Sequence, residues 1–482
     1  MSPSTDIALD LTAVVPGADL QGIDLKGRKL EGLTLDGVDL AGADLREAEL
    51  SGLSLHHASL KGANMRGATL TDVSFVEADL SGATLHGATL ANVELRETTM
   101  QEVDLEESRW TACVVAEVDL TGAALRRATL EDVYFDRVNL GRVSLRRAHL
   151  VGCSFIEVEM TATRLRAARL EEVMMDGVVL RGMNLKEIQL IRCILTGADL
   201  SGADMRGAVI DGSHLEQAVL REVQLDEGAI RGSLLDGADM RGAVMTGFTM
   251  TETSLRGAVL AGCDLGGAVL KNSIFIGADL ARVRLCEADL QQAVLSGANL
   301  AEADCTKAVL SGAVLEETTA PGATFKDAVL VTMYARRADL SGCDFTRVKA
   351  SAATFERASL AGATFHRGSA EAANFEDADL RGAQLVEFDF SLVNMVGADL
   401  STARADRCDF YGADFFLARV DAFSRTGCSE DHVRWPEPAR MKYGPGVDPP
   451  SIEPEPLYRQ AATLKEREHL VLAARETAAT RS

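Results

Sequence analysis

The chain is short of almost everything an enzyme core is made from. Among 482 residues there are two Trp, five Tyr and eight His, and aromatic side chains make up only 5% of the total. No apolar run approaches the ~18 residues that a membrane-spanning helix needs. The N-terminus carries Asp6 and no basic stretch ahead of an apolar segment, so no secretory signal is expected and the cytoplasm is the expected location. The His residues (56, 57, 86, 149, 214, 366, 432 and 469) are scattered, CxxC spacing is absent, and no His is expected to share a face with clustered acids or thiols. Zinc needs converging Cys and His ligands, so no metal site follows from this pattern. Motifs for nucleotides or nucleophilic catalysis are missing too. The reading is a non-enzyme with no catalytic residue, no cofactor and no metal. Positive charge is in deficit, with 49 basic against 72 acidic residues and a net charge of −23. Such a balance favours solubility and repels nucleic acid, so no direct nucleic-acid binding is expected.

What the chain does have is a beat. From Leu20 to Val420 every fifth residue is apolar, and the register never slips. Of these 81 centres 49 are Leu, 12 Phe and 9 Met, which makes one repeating solid and not a set of enzyme domains. Two residues before each centre sits a small residue, usually Ala, and one before it is usually Asp, Asn, Ser or Thr. Ala-Asp-Leu recurs at 18–20, 43–45, 78–80 and 198–200. Two after the centre Gly is frequent, as at Gly62, Gly82, Gly202 and Gly342. A period of five fits neither helix nor strand alone. It fits a short extended segment followed by a corner, with Gly and small polar residues at the turns. Six of the nine cysteines (113, 153, 193, 263, 343 and 408) occupy the small slot and Cys305 a centre, so they read as small hydrophobes and not as a disulfide framework.

Columns show how many units close one coil. Phe75, Phe135, Phe155, Phe275, Phe355, Phe375 and Phe415 are separated by multiples of 20, and Phe325, Phe345 and Phe365 form a second such series. The small slot from Leu33 to Ser273 is never Ala at steps of 20, whereas that from Ala48 to Ala208 is mostly Ala. The repeat is therefore a square coil of four five-residue units. In its A-(D/N)-L-x-x units the chain resembles the pentapeptide-repeat family over roughly 16–424. The resemblance implies an all-β solenoid, a right-handed quadrilateral parallel β-helix. About 20 coils at ~4.8 Å give a rod on the order of 95 Å long. Large and small centres trade locally, with Ala350 between Phe345 and Phe355. The stretch 98–115 is the weakest, and Trp110 is expected to force a bulge or bend there.

Four segments follow. Residues 1–15, with alternating Ile7, Leu9 and Leu11, read as a capping strand; 16–424 form the β-helix. Residues 425–456 hold most of the ten prolines and read as irregular; 457–482 read as an amphipathic helix that either caps the rod or docks a partner, a second copy included.

Three outward columns are candidate interaction surfaces. An acidic one includes Asp79, Asp119, Asp199, Asp239 and Asp279. Stacked carboxylates can imitate a phosphate backbone, or Asp is simply the residue this slot favours for turn hydrogen bonds. A basic one runs Arg46, Arg66, His86, Arg126, Arg146, Arg166, Lys186 and Arg206, interrupted by Glu106, with Arg127 and Arg147 beside it. Stacked like charges repel, so neighbouring acids or an acidic partner should offset them. An apolar one comprises Val114, Tyr134, Met174, Ile194, Leu234, Ile274, Val294, Val314 and Tyr334. It reads either as β-propensity or as a docking stripe for a partner or another rod. The leading expectation is a rigid acidic scaffold that binds protein partners through its faces and C-terminal segment. The family resemblance implies a second reading, a DNA mimic that binds and inhibits or protects DNA gyrase. It implies a third, an adaptor of a bacterial secretion machine.

Overall fold

A computed structural model describes residues 14–436. The five-residue unit appears as a three-residue extended segment and a two-residue corner. Every fifth residue from Gly17 to His432 has a positive φ, and most of these residues are not Gly. The left-handed conformation costs an L-residue about 1–2 kcal/mol, so each corner needs support. Part of it comes from the corner N–H, which donates one coil onward: Glu47 to the Arg66 carbonyl at 3.0 Å, Glu77 to that of Arg96 at 2.9 Å. Part comes from the outward Asp or Asn that often precedes a centre. The Asp39, Asp79 and Asp119 Oδ1 atoms accept the N–H two residues on, from Ala41, Ser81 and Thr121 at 3.0, 2.8 and 2.9 Å. That is the turn role the sequence assigns to Asp.

Residue i pairs with i+20 in parallel along four columns, which form four walls. Wall A carries Asp19, Asp39 and Ser59; wall B, Asp24 and Asp44; wall C, Lys29 and Glu49; wall D, Thr34 and Ser54. Continuous strands are longest on wall C, from Lys29–Glu31 to Thr249–Thr251. The fold is an all-β parallel solenoid of about 20 turns. No described residue lies in a helix. The bridges run on to Asp414↔Arg434, ten residues past the boundary at 424 drawn from the apolar beat. Backbone pairing continues there although Arg425 occupies a centre. The helix expected at 457–482, most of the irregular segment and most of the capping strand lie outside the described residues.

Centres from Leu25 to Phe415 and nearly all small slots are buried in one continuous core. Polar residues in small slots hydrogen-bond the coil before them, as Thr98 does to the Phe75 carbonyl at 2.8 Å and Thr163 to that of Leu140 at 2.7 Å. Phenylalanines stack along columns, with ring centroids 4.8 Å apart for Phe345–Phe365 and Phe355–Phe375.

The bulge expected at Trp110 does not occur. Its pairing with Leu90 and Leu130 is unbroken, and its indole N–H donates to Ser108 Oγ at 2.9 Å. Two Phe in the small slot are accommodated by a Gly one coil before. Phe248 follows Gly228 by one coil and Phe388 follows Gly368; a Cβ on either Gly would meet the Phe ring, at 3.0 and 2.6 Å.

Met183 has no such allowance. It occupies a small slot one coil after Thr163, where no Gly makes room. Among the described residues, only two bridges of the four columns are missing, 159/179 on wall A and 164/184 on wall B, both beside Met183. One coil earlier, six backbone hydrogen bonds join the equivalent residues, including Leu140 to Glu159 at 2.8 Å and Arg164 to Val143 at 2.9 Å. None of the six forms across this gap, while walls C and D stay paired through Arg169↔Gln189 and Ser154↔Met174. The rod is thus split along one corner. The opening has a volume of about 400 Å³ and is lined by residues that include Val158, Met160, Val179 and Met183.

Candidate interaction surfaces

The apolar column lies on wall D as one bridged line, interrupted by Ser154, His214 and Ser254. Its exposure is uneven. Ile274 is buried; Val114, Ile194, Leu234, Val294, Val314 and Tyr334 are half-buried; only Tyr134 and Met174 are exposed, at 40% and 44%. Side chains one coil apart cover one another, so a long stripe in sequence becomes a short patch in space. Two further exposed apolar residues join it: Ile156, 42% exposed on the next corner, and Val179, 61% exposed at the gap. Nothing in the five-residue beat marked Ile156 or Val179, because their exposure depends on the corner and on the lost pairing.

The acidic column lies on wall A and is not a bare row of carboxylates. Asp79 meets Lys61 at 3.3 Å, Asp199 meets Arg181 at 2.5 Å, and Asp239 meets both Arg221 and Arg241 at 2.6 Å. The Arg241 guanidinium, with Arg221, holds the Asp239 carboxyl well below the usual range against its partial burial. For Asp199, burial works upward but is outweighed by hydrogen bonds from Ser201 and by Arg181. At Asp119 burial is likewise outweighed, here by hydrogen bonds involving Gln101 and Thr121, and Asp279 accepts from Asn299 at 3.0 Å.

The basic column follows the corner between walls B and C. At its ends acids answer the charge: Arg46 binds Asp44 at 2.5 Å, Arg166 binds Glu187 at 2.9 Å, and Lys186 and Arg206 share Asp204 at 3.1 and 2.8 Å. Arg66, Arg126 and Arg146 have no ion pair. The expectation that no His shares a face with clustered acids does not hold. His86, Asp104 and Glu106 bring potential ligand atoms within 4.8 Å of one another. They are 18 and 20 residues apart in the chain and adjacent only once the coil closes.

The cysteines lie as expected, seven buried and Cys286 and Cys428 partly so. Burial pushes the Cys153 thiol up to about 12 and that of Cys263 to about 11, which leaves both protonated and inert. No described helix is long and apolar enough to cross a membrane.

The model of pentapeptide repeats matches residues 18–109, 113–171, 175–212, 253–330, 338–369 and 373–415. No match is found among curated proteins. Among solved structures, the chain is similar to HetL from the cyanobacterium Nostoc, a pentapeptide repeat protein involved in heterocyst differentiation regulation. The two are 26% identical, over 49% of this chain and 89% of that one, with a TM-score of 0.28. A pentapeptide repeat protein from the Arabidopsis thaliana thylakoid lumen is 32% identical over 24% of this chain and 68% of its own, at a TM-score of 0.12. QnrB1, a plasmid-mediated fluoroquinolone resistance protein, is 19% identical over 42% and 87%, at 0.21. With the family model covering well over half of its length, and with four walls of five-residue units, the chain belongs to the pentapeptide repeat family.

Proposed function

We propose that this protein is a non-enzymatic scaffold that binds protein partners through its walls, with its main docking locus at residues 134–183. The observation that carries this reading is the coincidence of an exposed apolar patch (Tyr134, Ile156, Met174, Val179) with the only break in coil pairing among the described residues. Exposed apolar clusters favour association because covering them removes apolar area from water, at roughly 25 cal/mol per Å². Unpaired strand edges add free N–H and C=O groups to which a partner backbone can bond. The C-terminal segment from 425 supplies a second attachment for a partner or a second copy. Mimicry of DNA calls for an open row of negative charge, and the cations on Asp79, Asp199 and Asp239 weigh against it.

The test is retention of partners from native lysate by the full chain and by a Tyr134→Asp/Met174→Asp variant, with oligomeric state followed by light scattering. The reading expects partners, or a dimer, that the variant loses. Equal retention by both would remove the apolar patch from the account. Recovery of DNA gyrase that depends on Asp119 and Asp199 would put the mimic reading in its place.

A further inference from the structure

Three consecutive coils on wall B and its two corners, between residues 121 and 169, carry only basic ionisable groups. Arg142 lies at the corner with wall A, Arg164 on the wall, and Arg126, Arg127, Arg146, Arg147 and Arg166 at the corner with wall C. In a chain of net charge −23 this is the exception. Many corner cations face an acid one coil away, as in Arg192–Glu172 at 2.7 Å, Lys307–Glu287 at 2.8 Å and Arg407–Glu387 at 2.7 Å, and within this window Arg127 meets Glu107 and Arg166 meets Glu187; single corner cations such as Arg66, Arg256 and Arg282 lack one elsewhere. Here Arg126, Arg142, Arg146, Arg147 and Arg164 are all exposed and form no ion pair or side-chain hydrogen bond. Stacked like charges are destabilising, so the fold itself gains nothing from the arrangement.

Two buried polar atoms in the middle coil point the same way. Ser144 stands outward on wall B between Ala124 and Arg164, yet it is only 5% exposed and its Oγ has no hydrogen-bond partner. His149 Nε2 is also buried without a hydrogen-bond partner; its nearest acid, Glu171, is 3.8 Å away, too long for a hydrogen bond. An unsatisfied buried group is destabilising, and an incoming oxyanion can relieve that at Ser144.

We propose that this basic face is the docking site for a carboxylate-rich segment of a protein partner. Guanidinium groups of Arg126, Arg146 and Arg164 take the carboxylates in paired N–H···O bonds, and the Ser144 hydroxyl donates to one of them. The length of the window selects the partner. Three coils span on the order of 10–15 Å, and an extended chain presents same-side residues about 6.6 Å apart, so two or three carboxylates fit. Double-stranded nucleic acid, with a charge every ~1.7 Å, would overrun the window. It would then meet Glu102, Asp104, Glu106 and Glu107 on one side and Glu187 and Asp204 on the other.

This inference rests on the scaffold reading and names the partner's chemistry. The test is fluorescence anisotropy of the full chain with a labelled synthetic Asp/Glu peptide and, in parallel, a single-stranded oligonucleotide of equal charge. The expected result is peptide binding that weakens with salt, falls at least tenfold in Arg126→Gln/Arg146→Gln/Arg164→Gln, and is unchanged in Arg256→Gln on another part of the rod. The variants replace exposed, unpaired side chains, and circular dichroism checks that they fold. Peptide affinity equal in the triple variant, or preference for the oligonucleotide, overturns the proposal. If the triple variant keeps every partner that the native chain retains from lysate, the basic face is wrong and the scaffold stands. If neither retains any protein, both fall.

Discussion

Replacing Met183 with Ala should close the gap between the coils at 159/179 and 164/184. The side chain is 9% exposed and sits where the rod usually places Ala, above a Thr instead of the Gly found under Phe248 and Phe388. Overpacking of this kind forces the backbone apart. Closure would form six backbone hydrogen bonds, worth about 1 kcal/mol each net of water. Against that stands the loss of roughly three methylene equivalents of buried Met, about 2.4 kcal/mol. The balance favours the closed coil by about 3–4 kcal/mol, which corresponds to a 100- to 1000-fold change in local opening. Amide hydrogen exchange reads this directly. In the native chain the N–H groups of Met160, Ala162, Leu165, Val179 and Asn184 should exchange fast, and in Met183→Ala they should slow by that factor. Exchange that stays fast in the variant, with the flanking coils protected, would refute overpacking as the cause of the split.

The converse change, Gly368→Ala, places a Cβ 2.5 Å from the Val348 carbonyl oxygen and 2.6 Å from the Phe388 ring. It should destabilise by about 1–3 kcal/mol in denaturant unfolding, and a second change, Phe388→Ala, should recover part of that loss. At Asp119, whose Oδ1 accepts the Thr121 N–H, Asn should keep the turn while Ala loses about 1 kcal/mol, seen as a lower unfolding midpoint. Arg367 and Arg407 hold the Glu387 carboxyl at about 2. Its folded value lies below the unfolded one, so its contribution is present above about pH 4.5 and is lost as pH falls toward 2; Glu387→Gln should flatten that part of the acid-stability curve.

Sequence alone settled the architecture because the constraint is local and repeated. An apolar centre every fifth residue, a small slot two before it and a corner two after it leave one way to bury all centres at once. The 20-residue columns then follow from Phe and Ala spacings, and with them the three outward lines of charge and apolar side chains. What only the tertiary structure decided lies between coils. Whether Met183 fits depends on Thr163 one coil below, and whether an outward Val or Ile is exposed depends on what stacks beside it. Sequence reading expected strain at Trp110 and passed over Met183, because volume balance is set across 20 residues and not along five. The same holds for charge. Arg46 and Arg126 belong to one column, yet Arg46 finds Asp44 and Arg126 finds no acid, so one is part of the rod's own pairing and the other is left unpaired.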